Sequence, residues 1–422
     1  MKSADLEDLG NRARTASRTL ATVDDHLRSQ ALYRIADGLE SRYHEVLVAN
    51  EQDIQSAKGN DLGDAAIDRL RLDGERLGSI AGDVRTIASL PDPLEEAFDA
   101  KELPNGIKVA KRRTPLGVIG VIYESRPNVT IDISALCMKS GNAVILKGGS
   151  EALQSNTALV NLVKASLVSS EIPVDAVQFI ASSDRALVGH MLGMKDQIDL
   201  MVPRGSASLV HRVASEATMP AITGGVGVCH MYVDSAAELG MTTDLIHNSK
   251  VVKPYVCNAI DTILVHSSAA STHLPKIASV LGESGVELRC DPRSFSILGD
   301  RSTSTIIRAT DLDWGVEFLS LRLAVKVVDS LGKALSHIDL YGSGHTDAII
   351  TEDSSAATRF LNEVDSSVVI VNTSTRYNDG GRLGLGAEVA ISTNKLHARG
   401  PMGLKELTSY KWTVVGEGQV PA

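Results

Sequence analysis

Residues 117–150 read GVIGVIYESRPNVTIDISALCMKSGNAVILKGGS, and this stretch decides the fold class. Its two apolar runs, GVIGVIY and NAVILKGG, are short, β-branched and bounded by small or polar turn residues, which predicts strands. Two more runs of the same kind, VQFIAS and IDLMVPRG, follow, with helical stretches opening at Glu151 and at Ser206. Continuous apolar strands that alternate with helices predict βαβ units and a parallel sheet covered on both faces. A second alternating set has TILVH, AVKVVD, TDAIIT and SSVVIVN as its strands. The class is therefore α/β.

Upstream, apolar positions recur three and four residues apart in ALYRIADGLESRYHEVLVANEQDI, predicting helices until Pro91–Leu94 (PDPL) breaks them. In ELPNGIKVAKRRTP the Asn105-Gly106 pair predicts a hairpin tip, and Lys111, Arg112 and Arg113 suit a solvated strand edge. The tail, LTSYKWTVVGEG, reads as a late strand free to pair with that hairpin or with a partner chain.

At 422 residues the chain exceeds one compact core, so two or three domains are expected. A net charge of −10 argues against broad binding to nucleic acid or to anionic membrane. No apolar run reaches the length of about 18 residues that spans a bilayer, and the N-terminal MKSADLEDLG is acidic and polar. The expectation is a chain without signal peptide or membrane span. Four cysteines, at 137, 229, 257 and 290, lack the spacing of a disulfide framework or a zinc site, so no metal is expected and a reduced, cytoplasmic setting fits.

An acidic protein that handles an anionic substrate has to gather positive charge locally, and α/β folds place ligands at the turns that end their strands. Two such turns stand out: Lys147-Gly148-Gly149-Ser150 and Pro203-Arg204-Gly205-Ser206. Each offers glycine for close backbone approach and then opens a helix whose first amides favour an anion. Neither GxGxxG nor GxxxxGK[ST] is present, which weakens an ordinary Rossmann or P-loop reading.

The candidate nucleophile is Cys257, in NSKVVKPYVCNAIDTILVH (Asn248–His266), with a small buried hydrophobe as the alternative reading of the same residue. It follows a Pro-punctuated turn and precedes a β-branched run, which places a thiol at the mouth of a buried strand. Lys250 and Lys253 are close enough in sequence to help form the thiolate. Cys229-His230 is the rival dyad, but adjacent strand residues point to opposite faces. Cys137 reads as core and Cys290 as a turn thiol. His397, in KLHARGPMG beside Arg399, fits a loop histidine or an acid-base residue.

Taken together, VIYESRPNVTIDISALCMKSGNAVILKGG, the Cys257 segment, LAVKVVDS, YGSGHTDAIITED and GLGAEVAISTNKLHARGPMGL resemble the gamma-glutamyl phosphate reductase (glutamate-5-semialdehyde dehydrogenase) family, part of the wider aldehyde dehydrogenase fold. The resemblance runs from roughly residue 10 to 415. Minor departures are Leu383, Ala390 and Asp261, where that family commonly carries an aromatic residue, glycine and glutamate. It implies an aldehyde dehydrogenase-like architecture: a Rossmann-type NADP-binding domain (1–98 and 114–233), an α/β catalytic domain (234–385), and a small β-arm for oligomerisation (99–113 and 404–418).

On the same resemblance Cys257 is the acylated nucleophile, Lys147 holds the adenosine ribose, Gly205 and Ser206 lie beside the pyrophosphate, and Glu317 binds the nicotinamide ribose. Hydrolytic relatives place a glutamate just before a glycine pair. Here Ala221-Ile222-Thr223-Gly224-Gly225 has no carboxylate, so a thioester would persist until hydride or phosphate attacks it. Ser150, three residues past Lys147, suits NADP(H), although Glu151 is adjacent. The implied reaction is NADPH-dependent reduction of L-glutamyl 5-phosphate to glutamate 5-semialdehyde and phosphate, the second step of proline biosynthesis. Asn128 is the expected side-chain oxyanion donor, and Arg126, Lys253 and Arg399 are the expected substrate cations. Ser392 and Thr393 are expected at the α-carboxylate. With no kinase half fused ahead, the acyl phosphate is expected from a separate glutamate 5-kinase, and the β-arm suggests a homo-oligomer. Two alternatives stay open: a non-phosphorylating semialdehyde dehydrogenase, and a catalytically silent nucleotide-binding scaffold.

Overall fold

The computed structural model of the chain describes residues 3–60, 62–222, 224, 226–299 and 305–421. It divides into two units: Met1–Thr223 with Gly384–Ala390 and Met402–Ala422, and Gly224–Leu383 with Ile391–Pro401.

The first unit opens with helices α1 (Ser3–Leu20), α2 (Asp25–Ser41), α3 (Tyr43–Gly59), α4 (Asp64–Leu70) and α5 (Gly74–Ser89). Side-chain caps start two of them, Asp24 accepting from the His26 amide before α2 and Asp73 from the Arg76 amide before α5. After the hairpin strands β1 (Ala97–Glu102) and β2 (Lys108–Pro115) come β3 (Val118–Tyr123), α6 (Asn128–Lys139), β4 (Ala143–Gly148), α7 (Leu153–Val168), β5 (Val177–Phe179), α8 (Ala186–Leu192), β6 (Leu200–Arg204) and α9 (Ala207–Glu216). The four later strands form a parallel sheet in the order β5-β4-β3-β6. All six residues of β3 and of β4 are buried, as a sheet with helices on both faces requires. Because β4 and β6 flank β3 on opposite sides, the strand order reverses at β3, and the carboxyl ends there form the crevice where this class of sheet binds ligands.

The second unit carries β7 (Cys229–Val233), α10 (Leu239–Val251), β8 (Ile260–His266), α11 (Ser267–Glu283), β9 (Glu287–Cys290), α12 (Pro292–Leu298), β10 (Ile306–Arg308), β11 (Arg322–Val328), α13 (Leu331–Tyr341), β12 (Thr346–Ile350), α14 (Ser354–Glu363) and β13 (Val368–Val371). Seven parallel strands run in the order β10-β9-β11-β8-β7-β12-β13. Alternation along each strand feeds two cores. Met231, Val233, Ile263 and Val265 pack with α10, α11 and α12 residues, while Tyr232 and Leu264 pack with Leu331, Ile338 and Phe360 from α13 and α14. A two-stranded piece, β14 (Ile391–Ser392) and β15 (Gly400–Pro401), completes the unit.

β7 lies between β8 and β12, inside the seven-stranded sheet. The chain therefore enters the second unit near Gly224, ahead of the 233/234 boundary expected above. An apolar run such as VCHMYV can close one sheet or open the next, and only its pairing decides.

The last strand, β16 (Thr408–Val415), belongs to the first unit and pairs antiparallel with β2 along its whole length, giving a three-stranded sheet β1-β2-β16. Gly106, at φ +81°, makes the hairpin tip. Tyr410, Trp412 and Val414 are exposed along β16, and the Lys111 ammonium lies over the Tyr410 and Trp412 rings. Among the described residues no helix is long and apolar enough to cross a membrane, and no cluster of metal-ligating side chains occurs.

Candidate active site

At the carboxyl ends of β3, β4 and β6 the first unit has a cleft of about 360 Å³, lined by Glu124, Lys147, Glu151, Arg185 and Arg212 among others. Lys147, the penultimate residue of β4, is buried, and its ammonium donates to the Gly148 carbonyl at 2.9 Å. Burial draws it below the ordinary lysine value, against the opposing pull of Glu151 and Asp184. With three N–H donors and one internal acceptor, it has donors left for a ligand. Glu151 accepts from the Ser125 amide (2.6 Å) and hydroxyl (2.8 Å).

Gly205 and Ser206 do not line this cleft themselves; they stand beside it, behind Glu124, which does. Ser206 caps α9 through its hydroxyl, and both its amide (2.7 Å) and its hydroxyl (3.2 Å) donate to the Glu124 carboxylate. A Cβ at Gly205 would stand 2.4 Å from Glu124 Oε2, so a side chain there would push the Glu124 carboxylate aside. An internal carboxylate thus rests on the helix start where the resemblance places a pyrophosphate. The amides there accept an anion, and a dinucleotide that uses them has to displace Glu124. Asn128 opens α6 and donates to Asp132 at 2.9 Å; burial raises that carboxyl to about 7. Arg126 is exposed in the turn before α6.

Three of the chain's four cysteines separate from the fourth by burial. Cys229 and Cys290 are buried, as is Cys137 in the first unit, whereas Cys257 is half-exposed. It sits in the turn between α10 and β8, closed by the Ala259 amide donating to the Val256 carbonyl. The turn is held from both sides. On one, Cys229 Sγ donates to the Cys257 carbonyl at 3.1 Å, and Gly227 packs so tightly that a Cβ there would lie 1.7 Å from that oxygen. On the other, Asn258 donates to the Asn378 carbonyl, its own carbonyl accepts from Thr375 Oγ1, and its side-chain oxygen accepts from Arg376.

Burial raises the Cys229 thiol well above the ordinary range, which disfavours its thiolate. Lys250 does not serve Cys257. It is fully buried, donates to the Ile260 carbonyl at 2.8 Å and pairs with Asp261, because its helix turns it into the sheet. Lys253 is exposed. Asp261, which burial raises to about 6, also accepts from the Phe318 amide and so anchors the loop that carries Glu317. Glu317 accepts from the Gly227 amide at 2.9 Å, so Cys257 and Glu317 meet the same glycine. Burial raises this carboxyl too.

Ser392 is buried and accepts from the Asn394 amide, and Thr393 is half-buried. A Cβ at Gly224 would stand 2.5 Å from the Thr393 amide nitrogen, so this loop lies against the strand entry. Arg399 is exposed and spent on Asp365, which Lys395 also meets. His397 is exposed, at φ +72°. Of the stretch that lacks a carboxylate, Ile222 is buried and its amide donates to the Met201 carbonyl, whereas Thr223 and Gly225 lie outside the described residues. Two residues escaped the sequence reading. Glu124 could have been found as the first residue past the strand at the switch point. Arg376, in STRYND, carries no local signal.

The model of the aldehyde dehydrogenase family matches residues 1–292. The chain belongs to this family, whose members use nicotinamide cofactors. A gamma-glutamyl phosphate reductase of Roseiflexus castenholzii is 51% identical over 421 residues, 99% of each chain. The crystal structure of gamma-glutamyl phosphate reductase from Thermotoga maritima superposes with a TM-score of 0.96 at 40% identity, covering 99% of this chain and 100% of that one. Within the family, the chain therefore belongs with the gamma-glutamyl phosphate reductases. An engineered glycolyl-CoA reductase with bound NADP+, at 17% identity and a TM-score of 0.71 over 97% of this chain and 96% of that one, shares the fold alone.

Proposed function

We infer that this protein reduces L-glutamyl 5-phosphate to L-glutamate 5-semialdehyde, releasing phosphate, as the second step of proline biosynthesis. The observation that carries the reading is the Cys257 turn: a half-exposed thiol, clamped on both sides, in a chain similar over its whole length to gamma-glutamyl phosphate reductases. The Cys257 thiolate attacks the acyl carbon, the C–S bond forms, and the C–O bond breaks with its electron pair leaving on phosphate. Phosphate is a good leaving group and needs no strong acid. Residues 221–225 carry no carboxylate to activate water, so the thioester is protected from hydrolysis. Backbone amide at Cys257 and the Asn128 side chain are the proposed holders of negative charge on the acyl oxygen. Arg126, Lys253, Arg399, Ser392 and Thr393 are the proposed contacts to the substrate's charged groups, Arg399 by exchanging Asp365 for substrate.

The cleft of the first unit suits NADP(H). Lys147 keeps free donors for ribose, Ser150 is neutral, and Arg185 and Arg212 add positive charge for a 2′-phosphate. The reduced cofactor supplies the hydride that takes the acyl group to the aldehyde level. Glu317 is the proposed contact for the nicotinamide ribose. We extend the same reading to a cytoplasmic homo-oligomer built through the exposed edge of β16, fed by a separate glutamate 5-kinase.

The test supplies glutamate 5-semialdehyde and NADP with and without inorganic phosphate and follows reduced cofactor by absorbance. Turnover that needs phosphate supports the reductase. Phosphate-independent turnover identifies a hydrolytic dehydrogenase instead, and silence in every condition a scaffold. Lys147→Ala is expected to weaken NADPH binding about 10- to 100-fold, the cost of a hydrogen bond to a charged group. Fluorescence titration reads that constant, and an unchanged value would remove Lys147 from the cofactor site.

A further inference from the structure

The Cys257 turn rests on a cation that forms no ion pair among the described residues. Arg376 is only 5% exposed, yet no carboxylate among the described residues pairs with it. One Nη donates to the neutral Asn258 side chain, the buried Nε has no partner among the described residues, and Arg382 donates to the Arg376 carbonyl from close by. A buried guanidinium so placed has lost its water without gaining a direct ion pair among the described residues, with Asp379 acting on it only at a distance, an arrangement that a ligand anion would complete. Burial, and then Arg382, pull Arg376 below the ordinary arginine value, while Asp379 and Cys257 act in the opposite sense, which places Arg376 within electrostatic reach of the thiol.

We propose that Arg376 binds the phosphoryl group of the substrate, holding its oxygens beside Cys257 as phosphate leaves. This rests on the reductase reading above and names a contact for it. The choice of phosphate over the substrate's other anion follows from chain geometry. The phosphate is bonded to the carbon that Cys257 attacks, whereas the α-carboxylate lies at the far end of the glutamyl chain. Planar N–H donors match two phosphate oxygens at once, and their attraction grows as the C–O bond breaks and charge gathers on phosphate. In reverse, the same cation presents a phosphate oxygen to the thioester; the C–O bond forms, and the C–S bond breaks with its electron pair returning to Cys257. The hydrogen bond to Asn258 couples the cation to the residue that follows the nucleophile, so the anion also steadies the turn.

The experiment compares wild type with Arg376→Gln and Arg376→Lys in two assays. In the oxidative direction, with semialdehyde and NADP saturating, the KM for inorganic phosphate is expected to rise about 10- to 100-fold in R376Q and less in R376K. The KM for aldehyde is expected to stay near the parent value, which a merely structural role for Arg376 does not predict. In the second assay iodoacetamide alkylates Cys257, and inorganic phosphate is expected to slow this in wild type but not in R376Q. A parent enzyme that turns over without phosphate defeats the reductase reading. A parent that needs phosphate, together with an R376Q variant that keeps its phosphate KM and its protection, defeats only the role of Arg376. Protection by free glutamate but not by phosphate, lost in R376Q, would move Arg376 to the α-carboxylate and also overturn the proposal. If R376Q does not fold, R376K gives the same constants, and an unchanged phosphate KM there counts against the assignment.

Discussion

Cys257→Ala is expected to lower turnover by roughly 10⁴-fold or more, because it removes the atom on which the acyl group is carried and not a group that merely steadies it. No other thiol stands ready to substitute. Cys229 is fully buried, its thiol is raised far out of range by burial, and it is committed to the Cys257 carbonyl. Burial raises Cys290 to about 11 and raises Cys137 further. Alanine adds no bulk to a half-exposed turn whose clamps are backbone groups, Asn258 and Gly227, so the fold is expected to survive. Cofactor affinity, set by the cleft around Lys147, is expected to change little. Stopped-flow absorbance of NADPH consumption and a parallel binding titration check both halves. Activity retained in the variant would return the nucleophile to Cys229, and lost cofactor binding would mean that the substitution had acted through structure.

How far this site could be read in the sequence depended on how local each signal was. Strands such as GVIGVIY and TILVH announce themselves because a buried parallel strand is apolar throughout, and every strand of the two alternating sets is present. The switch point was legible through Lys147-Gly148-Gly149-Ser150 and Gly205-Ser206, since a turn that ends a strand and opens a helix carries its own residue types. Long-range partners were not. Lys250 is seven residues before Cys257, and proximity in sequence suggested help for the thiol; one face of α10 buries it against Ile260 and Asp261 instead. Arg376 is more than a hundred residues away and meets Asn258 only because a short helical turn after β13 packs on the Cys257 turn. Glu124 on Ser206 likewise joins residues that only the strand order β4-β3-β6 makes neighbours. The thiol itself lies at the amino end of β8, opposite to the end where a sheet of this kind is first searched for a ligand, so strand order alone would have missed it.

The same tight packing makes Gly227→Ala the second large effect expected. The new methyl would stand 1.7 Å from the Cys257 carbonyl oxygen, where real contacts are at least 3.0 Å, so one of the two backbones has to yield by 1.3 Å. The obstacle is backbone, and no side-chain rotation relieves it. If the Cys257 turn yields, the thiol leaves its position, and a displacement of about 1 Å at a reacting atom costs on the order of 10²-fold in kcat. If the Gly227 strand entry yields, its amide withdraws from Glu317, whose half-buried carboxyl then loses the hydrogen bond that opposes its raised proton affinity. The two outcomes separate by measurement. Displacement of the turn slows alkylation of Cys257 as well as turnover. Loss of the Glu317 contact leaves alkylation near the parent rate, and any fall in activity then follows the weaker hold of Glu317 on its ligand. Overpacking on this scale also destabilises by about 1–3 kcal/mol, which thermal unfolding detects. A G227A variant with parental kcat, alkylation rate and Tm would show that the contact between Gly227 and Cys257 places no constraint on the nucleophile.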